Sequence, residues 1–419
     1  MKRIVACLLL VLSSWPAAAG DWPAAAGDWP AWRGPLGTGI ADETGVPVEW
    51  SATKSVKWKT PLPGPGNSTP IVWKDAVYLT QASQDGRERS LISFTCESGE
   101  AIWKKTIVYD QKEQTHQTNP HCSPSPVTDG NVIVAWHGSA GLFAYDLDGN
   151  ELWRKDLGKF EHIWGYGSSP VIYENLVILN AGPGLRAFVA AFNKSTGEEV
   201  WRREFPEAVS EKVDQFRGSW STPVLYQEGD RTLMLLALPQ RLHAVDPATG
   251  ETVWHCDGLG ELVYASPLVG DGVIVAMSGF HGPSFVVRTG GRGDVTATHR
   301  LWHHEGNKLN PQRVGSGAIV GDHLYILQDS GVAWCMDVAT GKVVWEKRLG
   351  KSWSSMCHVD GRLYVIDMEG TTFVLEPTPE GCEVLAENRL DETTRASLAV
   401  SNGNVFVRTH ENLYCIDDQ

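Results

Sequence analysis

Short runs of alternating apolar and polar residues, each interrupted by a tight-turn signal, recur along this chain. Residues 127–134 (VTDGNVIV), 269–276 (VGDGVIVA) and 400–407 (VSNGNVFV) each place Asp-Gly or Asn-Gly between two such runs. These dipeptides adopt the positive φ angles that two-residue hairpin turns require. Alternation with a period of two is typical of half-buried strands. The pattern therefore predicts β-hairpins and an all-β fold.

A longer unit, RLHAVDPATGETVW (residues 241–254), combines a strand, a turn and a second strand. The first strand ends at the small residue Ala244 and stops at the polar Asp246. Thr249 and Gly250 form the turn, and the second strand carries Trp254. The same pattern recurs at residues 93–103, 144–153, 191–201 and 335–345. A spacing of about 45–50 residues is typical of the four-stranded blades of a propeller.

The number of blades follows from a third signal, a Ser or Thr before a Pro that opens the first strand of a repeat, as at Ser125-Pro126 and Ser266-Pro267. The first strands are expected near residues 70, 126, 170, 223, 267, 318, 356 and 398. In three of them Pro is replaced, by Ala318, Met356 and Leu398. The count predicts an eight-bladed β-propeller of four-stranded blades.

The two ends of the chain predict how the ring closes. The last repeat stops after its third strand, at residues 413–419, whereas the segment around Trp58 matches a fourth strand with no repeat before it. We expect this N-terminal strand to complete the last blade, because closure protects strand edges that would otherwise pair with other chains.

The repeat resembles that of the quinoprotein-like β-propeller family, whose units are called PQQ-like repeats. The residues that carry the resemblance are Ala244, Asp246, Thr249, Gly250 and Trp254. The resemblance covers roughly residues 56–419. It implies that each repeat Trp stacks on the Thr-Gly region of an adjacent blade. The opening WRGP and the closing residues 410–417 (HENLYCID) are similar to a secreted bacterial branch whose members mostly lack assigned functions.

The resemblance implies two alternative functions. The alcohol and sugar dehydrogenases of the family hold pyrroloquinoline quinone (PQQ) and Ca²⁺ over the central channel, and in the alcohol dehydrogenases a disulfide of adjacent cysteines stacks on the cofactor. The other branch resembles the propeller subunit of the outer-membrane assembly machinery, a docking scaffold without a cofactor and usually a lipoprotein. This sequence has neither adjacent cysteines nor the lipid-attachment Cys. Our first hypothesis is a non-catalytic scaffold that binds a protein partner or a small ligand. The alternative is a PQQ-dependent oxidoreductase acting on alcohols or sugars, with PQQ and calcium as cofactors.

Composition narrows the partners. Lys and Arg number 36 against 50 Asp and Glu, which gives a net charge of −14. Nucleic-acid-binding proteins favour basic faces, so we expect no nucleic-acid partner. The seven cysteines after Cys7 contain no CxxC pair, and Cys335 and Cys415 occupy positions where other repeats have Ala. We expect those two to fill the core as small apolar residues.

The N-terminus predicts export. Residues 1–19 have a basic start, an apolar centre and a small-residue end, as secretory signal peptides do. Because WPAAAGD occurs twice in succession, cleavage after Ala19 and after Ala26 both fit. We expect a signal peptide over residues 1–26, an N-terminal arm over 27–55 and a single propeller domain over 56–419. The product should be periplasmic or secreted, monomeric, and without an integral membrane segment.

Candidate site residues lie on the loops of one face. In such a blade the connections between second and third strands, and between successive blades, share one face and follow no repeating pattern. Binding residues commonly lie on loops over a rigid scaffold. We expect a ring of aromatic and cationic side chains at this channel mouth: His116, His121, Trp164, Tyr166, Arg217, Trp220, Arg313, Trp353 and Arg395. Such a mixture suits an anionic or planar ligand, or a peptide segment. No catalytic residue is assigned, and His116 and His121 lack the third ligand that a metal site needs.

Overall fold

Eight four-stranded antiparallel sheets are arranged as blades around a central channel in a computed structural model that describes residues 27–418. The predicted eight-bladed β-propeller is therefore confirmed. The predicted signal peptide, with its cleavage positions at Ala19 and Ala26, lies outside the described residues.

Within each blade the strands follow in chain order from the channel outward, except for the outer strand of blade 8, and we name them A to D. Blade 1 consists of Ile71–Trp73, Ala76–Ala82, Glu88–Thr95 and Ala101–Val108. Blade 2 consists of Val127–Thr128, Ile133–Trp136, Leu142–Tyr145 and Glu151–Lys155. Blade 3 consists of Val171–Tyr173, Leu176–Ala181, Phe188–Asn193 and Glu199–Arg203. Blade 4 consists of Val224–Glu228, Arg231–Leu238, Arg241–Val245 and Thr252–Asp257.

The remaining four blades keep the same order. Blade 5 consists of Leu268–Gly270, Val273–Met277, Ser284–Arg288 and Arg300–His304. Blade 6 consists of Ala318–Val320, His323–Leu327, Val332–Asp337 and Val343–Arg348. Blade 7 consists of Cys357–Val359, Arg362–Ile366, Thr371–Glu376 and Glu383–Arg389. Blade 8 consists of Ala399–Ser401, Asn404–Arg408, Asn412–Ile416 and the N-terminal strand Val56–Pro61.

A few short elements lie outside the blades. Four short strands form three parallel pairings: Ile40–Ala41 with strand A of blade 7, Gly293–Asp294 with strand D of blade 4, and Gly218–Ser219 with Leu262–Val263. The helical elements are the 3₁₀ turns Gly138–Ala140 and Pro206–Ala208 and the α-helical turn Thr296–His299. Within residues 27–418 the helices are all too short to span a bilayer.

The N-terminal strand closes the ring as predicted. Trp58 pairs with Cys415, and Pro61 pairs with Asn412, in an antiparallel ladder. Leu62 N–H then donates to Glu411 O at 2.7 Å. Blade 8 therefore has its fourth strand from the opposite end of the chain.

A tryptophan on strand D fills the gap between successive blades and donates its indole N–H to a backbone carbonyl of the next blade. The acceptors, at 2.7–3.0 Å, are Cys96 for Trp58, Leu147 for Trp103, Lys194 for Trp153, Pro247 for Trp201, Val338 for Trp302 and Thr378 for Trp345. The turn glycine lets the ring approach: Gly250 has φ +71°, and a Cβ there would lie 2.6 Å from the Trp201 ring. This arrangement agrees with the stacking that the family resemblance implies.

Trp254, which closes the repeat that matches the family pattern best, is an exception. It is fully buried, but its indole N–H faces Glu228 Oε1 at 3.4 Å instead of a backbone carbonyl. In blade 5 the third and fourth strands are joined by a long connection, residues 289–299, instead of a short turn. Glu228 also accepts the Gly290 N–H of that connection at 2.8 Å, so one carboxylate links Trp254 to it.

The apolar core lies between the blades. Cys335 and Cys415 are fully buried within it, in agreement with the prediction that they fill the core. All seven cysteines of the described chain are free thiols.

Candidate binding cavity at the loop-rich face

Eight hydroxyl side chains surround the channel where the A strands begin: Thr69, Ser125, Ser169, Thr222, Ser266, Ser316, Ser355 and Ser397. Most of them accept the backbone N–H of their counterpart in the preceding blade. Thr69 N–H donates to Ser125 Oγ at 2.9 Å, and Ser355 N–H donates to Ser397 Oγ at 2.8 Å. Between blades 4 and 5 the link runs the other way, because Ser266 Oγ donates to Thr222 O at 2.7 Å. The hydroxyls therefore tie neighbouring blades together around the channel.

The residues two positions before these hydroxyls form a second tier around the channel. All eight line a cavity of about 430 Å³: Asn67, Ser123, Gly167, Trp220, Tyr264, Val314, Trp353 and Arg395. Side chains two positions apart in an extended chain point the same way, so both tiers face the channel. The hydroxyl tier is chemically uniform, whereas the second tier differs from blade to blade.

Loops add further aromatic side chains to the cavity wall. His116 and Trp164 line it with ring centroids 4.3 Å apart, and Phe216 and Phe280 lie at its rim, about half exposed. Trp220 packs edge-on against Tyr264 at 5.2 Å and donates its indole N–H to Gly165 O at 3.1 Å. The wall is therefore held in place by its own contacts.

The N-terminal arm crosses the channel on the side opposite the loops. Thr128 N–H of blade 2 donates to Pro30 O at 2.9 Å, and Arg33 Nη2 donates to Gly317 O of blade 6 at 2.7 Å. These two blades lie on opposite sides of a ring of eight. Trp32, between the two contacts, lines the cavity. The arm therefore forms the floor of the cavity.

Two oppositely charged side chains, those of Arg395 and Asp329, lie in the cavity wall. Arg395 lies over the Trp353 ring at 5.3 Å, and Trp353 Nε1 donates to Asp329 Oδ1. Arg395 Nε is buried without a hydrogen-bond partner among residues 27–418. Burial lowers the pKa of Arg395 below its ordinary value, although the charge of nearby Asp329 acts in the opposite direction. The cavity therefore contains a cation with unused hydrogen-bonding capacity.

The family of the chain is shown by its match to a model described as outer membrane protein assembly factor BamB, over residues 38–184 and again over residues 185–419. The chain belongs to this family. One relative with that name, from Burkholderia pseudomallei, is 24% identical over 349 residues, which is 81% of this chain and 80% of the relative.

Two other similarities extend beyond proteins of that name. Tetrathionate hydrolase of Acidithiobacillus ferrooxidans is 22% identical over 244 residues, and the match covers 56% of this chain but 46% of the hydrolase. The chain thus spans less than half the length of that relative. The crystal structure of quinohemoprotein alcohol dehydrogenase from Comamonas testosteroni has a TM-score of 0.71 at 13% identity, and the match covers 94% of this chain and 81% of that one. This likeness shows a shared fold only.

Five of the nine residues expected in the ring line the cavity. They are His116, Trp164, Trp220, Trp353 and Arg395. Their loops reach the channel mouth because each joins an outer strand to the next inner strand.

Tyr166 and His121 lie beneath the loops instead. Tyr166 is buried, its ring lies 4.9 Å from that of Trp136, and its hydroxyl accepts the Cys122 N–H at 3.4 Å. His121 Nδ1 lies 3.4 Å from Glu113 Oε2, and Glu113 also pairs with buried Arg89. Burial disfavours the charged form of Glu113, but the contacts to His121 and Arg89 have the larger combined effect. The pKa of Glu113 is therefore lowered. These side chains hold the loops of blades 1 and 2 together.

Arg217 and Arg313 are also committed to internal contacts. Arg217 pairs with Glu261 of the neighbouring loop. Arg313 is buried, lies 6.0 Å over the Trp334 ring, and donates to Gly282 O at 3.2 Å. Burial lowers the pKa of Arg313 to about 10. Neither side chain lines the cavity.

Sequence reasoning missed Trp32, Tyr264, Phe280 and Asp329 as members of the wall. Tyr264 could have been found, because it precedes Ser266 by two residues as Trp220 precedes Thr222. Trp32 could not, because nothing in its own segment indicates that the arm crosses the channel.

Proposed function

We propose that this protein is an exported, non-catalytic binding propeller. Its cavity takes a flat group with one negative charge, presented by a partner protein or a small ligand. The observation that supports this most is Arg395, which lies in an aromatic wall with a buried Nε that has no hydrogen-bond partner among residues 27–418. A cavity of this volume lies within the range of small-molecule and cofactor sites.

The shape of the second tier supports a flat group. Blades 4, 5 and 7 contribute Trp220, Tyr264 and Trp353, whereas blades 2 and 3 contribute Ser123 and Gly167. Three of the eight second-tier positions therefore present aromatic rings to the cavity. A flat group entering the cavity would meet these rings, which offer a large apolar contact area.

Arg395 favours a ligand that carries a single negative charge. A guanidinium presents parallel N–H groups that match a carboxylate. Asp329 lies close enough to favour the charged form of Arg395, and it would repel a second anionic group. The cavity thus fits a carboxylate attached to an aromatic or apolar body.

Apolar side chains around the mouth favour a protein partner. Leu185, Phe216, Phe280 and Leu309 lie on loops of this face and are 39–94% exposed. Exposed apolar groups around a cavity are typical of protein-binding sites. The Burkholderia relative is an outer membrane protein assembly factor by name. That relationship supports both export and a scaffold role.

The alternative is the PQQ-dependent oxidoreductase. Calcium requires several oxygen ligands, among which carboxylates are common. Among residues 27–418 the cavity wall has a single carboxylate, that of Asp329. Residues 27–418 hold no cluster of three or more His, Cys, Asp or Glu side chains suited to a metal ion. The residues therefore do not fit calcium, and we derive no reaction step from that cofactor pair.

The test uses the purified protein as bait for a periplasmic extract. We expect a partner that is retained by the wild type, lost with Arg395→Ala or Trp220→Ala, and retained by the control Val200→Ser/Val344→Ser, which changes exposed residues on outer strands. Calorimetry with phenylacetate and phenylacetamide then tests the charge requirement, since we expect only the acid to bind. Dye-linked alcohol or sugar oxidation after reconstitution with PQQ and Ca²⁺ would overturn the proposal in favour of the enzyme.

A further inference from the structure

A second concave surface lies between blades 1 and 2 at the outer rim, where the strands D are the strands farthest from the channel. This cleft has a volume of about 690 Å³. Residues 104–108, from strand D of blade 1, form one wall, and residues 149–151 and 154–156 of blade 2 form the other. Successive residues of a strand point to opposite faces. Because five consecutive residues line the cleft, the edge of that strand borders it.

The strand at this edge is long and has no partner on its outer side among residues 27–418. Ala101–Val108 has eight residues and pairs on its inner side with Glu88–Thr95, and it ends the sheet. As the last strand of its sheet, it leaves backbone N–H and C=O groups open to another strand.

The cleft is basic although the protein is acidic. Lys104, Lys105 and Lys155 line it and form no ion pair within residues 27–418. Arg154 lies 5.7 Å over the Phe143 ring and pairs with Glu151 at 2.6 Å. The charges of three lysines are thus left without partners in a chain of net charge −14.

We propose that this cleft binds an extended acidic segment of a partner protein, which adds a fifth strand to blade 1 along residues 101–108. Backbone hydrogen bonds to the open edge hold such a segment, and alternate side chains give specificity. Because Lys104 and Lys105 point to opposite faces of the strand, two successive carboxylates of the segment lie against them, one on each face. Ile102 and Val108, 55% and 61% exposed, offer apolar contact towards the two ends of the strand.

The charges also decide against two other occupants. A second copy of this strand would place lysines against lysines, and like charges opposite each other in a sheet are destabilising. A nucleic acid would be repelled by the overall charge of −14, and the cleft itself contains Glu151 and Asp156. An acidic peptide meets the local charge and the strand edge together.

The first test uses fluorescence polarisation to measure the affinity of the purified protein for an acidic peptide. The probe is a labelled, end-capped octapeptide with two adjacent central glutamates, Val-Thr-Val-Glu-Glu-Val-Thr-Val, so that one carboxylate lies on each face of the strand. We expect Lys104→Glu/Lys105→Glu to weaken binding at least tenfold. The matched control Lys342→Glu/Lys347→Glu, near the outer strand of blade 6, should bind as the wild type does. If the charge-reversed variant fails to fold, Lys104→Ala/Lys105→Ala replaces it, with a smaller loss expected.

The second test separates strand addition from simple charge attraction. The same peptide with N-methyl groups on alternate residues keeps every charge but loses N–H donors, so its affinity should fall at least tenfold. Equal binding of the methylated peptide, or of a single-stranded DNA oligonucleotide, would overturn strand addition by an acidic segment. Unchanged binding by the lysine variants would overturn it too. Arg395→Ala, in the distant cavity, should leave peptide binding unchanged, so this result is independent of the function proposed above.

Discussion

The backbone N–H of Ser397 donates to Thr69 Oγ1 at 3.0 Å, although the two residues are 328 positions apart in the chain. This bond joins blade 8 to blade 1 with the same chemistry that links Thr69 to Ser125 of blade 2. The ring is therefore closed twice, by the outer strand around Trp58 and by this hydroxyl at the channel.

The closing hydroxyl can be tested by Thr69→Val. Valine keeps the shape of threonine but removes the acceptor, so the buried Ser397 N–H is left unsatisfied. An unpaired buried polar group costs about 1–3 kcal/mol, and we expect the free energy of unfolding in urea to fall by that amount. Thr69→Ser, which keeps a hydroxyl, should lose less. Equal stability of the valine variant and the wild type would contradict the role of this bond.

The tryptophans between blades can be tested by Trp201→Ala. Trp201 is 7% exposed and its indole N–H donates to Pro247 O. Truncation of a buried aromatic residue costs about 3–5 kcal/mol, which chemical denaturation would measure. Ligand binding under folding conditions should not change, because Trp201 does not line the cavity. A stable variant with lost binding would show that this residue belongs to a site.

A pH dependence is expected from His137. Burial, with a smaller effect of the Arg89 charge, lowers the pKa of His137 to about 3. In the unfolded chain a histidine takes up its proton near pH 6.5. Below that pH the unfolded state gains a proton that the folded state refuses, so stability falls as the pH decreases from about 6.5 towards 3. The free energy of unfolding, measured by urea denaturation at several pH values in this range, should change less with pH in His137→Asn than in the wild type. An equal pH dependence in the two proteins would contradict this prediction.

The two arginines of the loop-rich face should behave differently. Arg395→Ala should weaken binding of a carboxylate ligand at least tenfold, because it removes the cation with unused donors. Arg217→Ala should leave affinity unchanged within about twofold, because Arg217 is already paired with Glu261. Calorimetry with the same ligand compares them. Loss of binding in the Arg217 variant alone would move the site away from the cavity.

The cavity floor can be tested by Trp32→Ala. Removing the indole should open the cavity towards the opposite face and reduce ligand affinity. The arm should stay in place through the Pro30 carbonyl, which accepts from Thr128 N–H, and the Arg33 guanidinium, which donates to Gly317 O. Protection of the arm from a protease measures that control. If ligand affinity is unchanged, Trp32 does not form the floor of the occupied site.

The sequence by itself determined the blades, because each is built from local signals. Asp-Gly and Thr-Gly turns fix hairpins from neighbouring residues, and a period of two sets which side chains face the core. The strand around Trp58 could be matched to blade 8, since the last repeat lacks a fourth strand. The long connection in blade 5 has no counterpart in the other repeats, and its residues Gly293–Asp294 pair with the outer strand of blade 4. That pairing depends on a neighbour that no local pattern specifies.

The composition of the cavity was decided by tertiary structure. Trp164 and Tyr166 are two residues apart in one loop, but one lines the cavity and the other is buried beside Trp136. Arg217 and Arg395 both lie on loops that join successive blades. Arg217 forms an ion pair with Glu261, whereas Arg395 forms no ion pair within residues 27–418. The direction of a loop side chain depends on which neighbouring blade offers it a ring, a carboxylate or open space. These neighbours come from distant parts of the chain, so only the closed ring of blades determines which side chains remain available to bind.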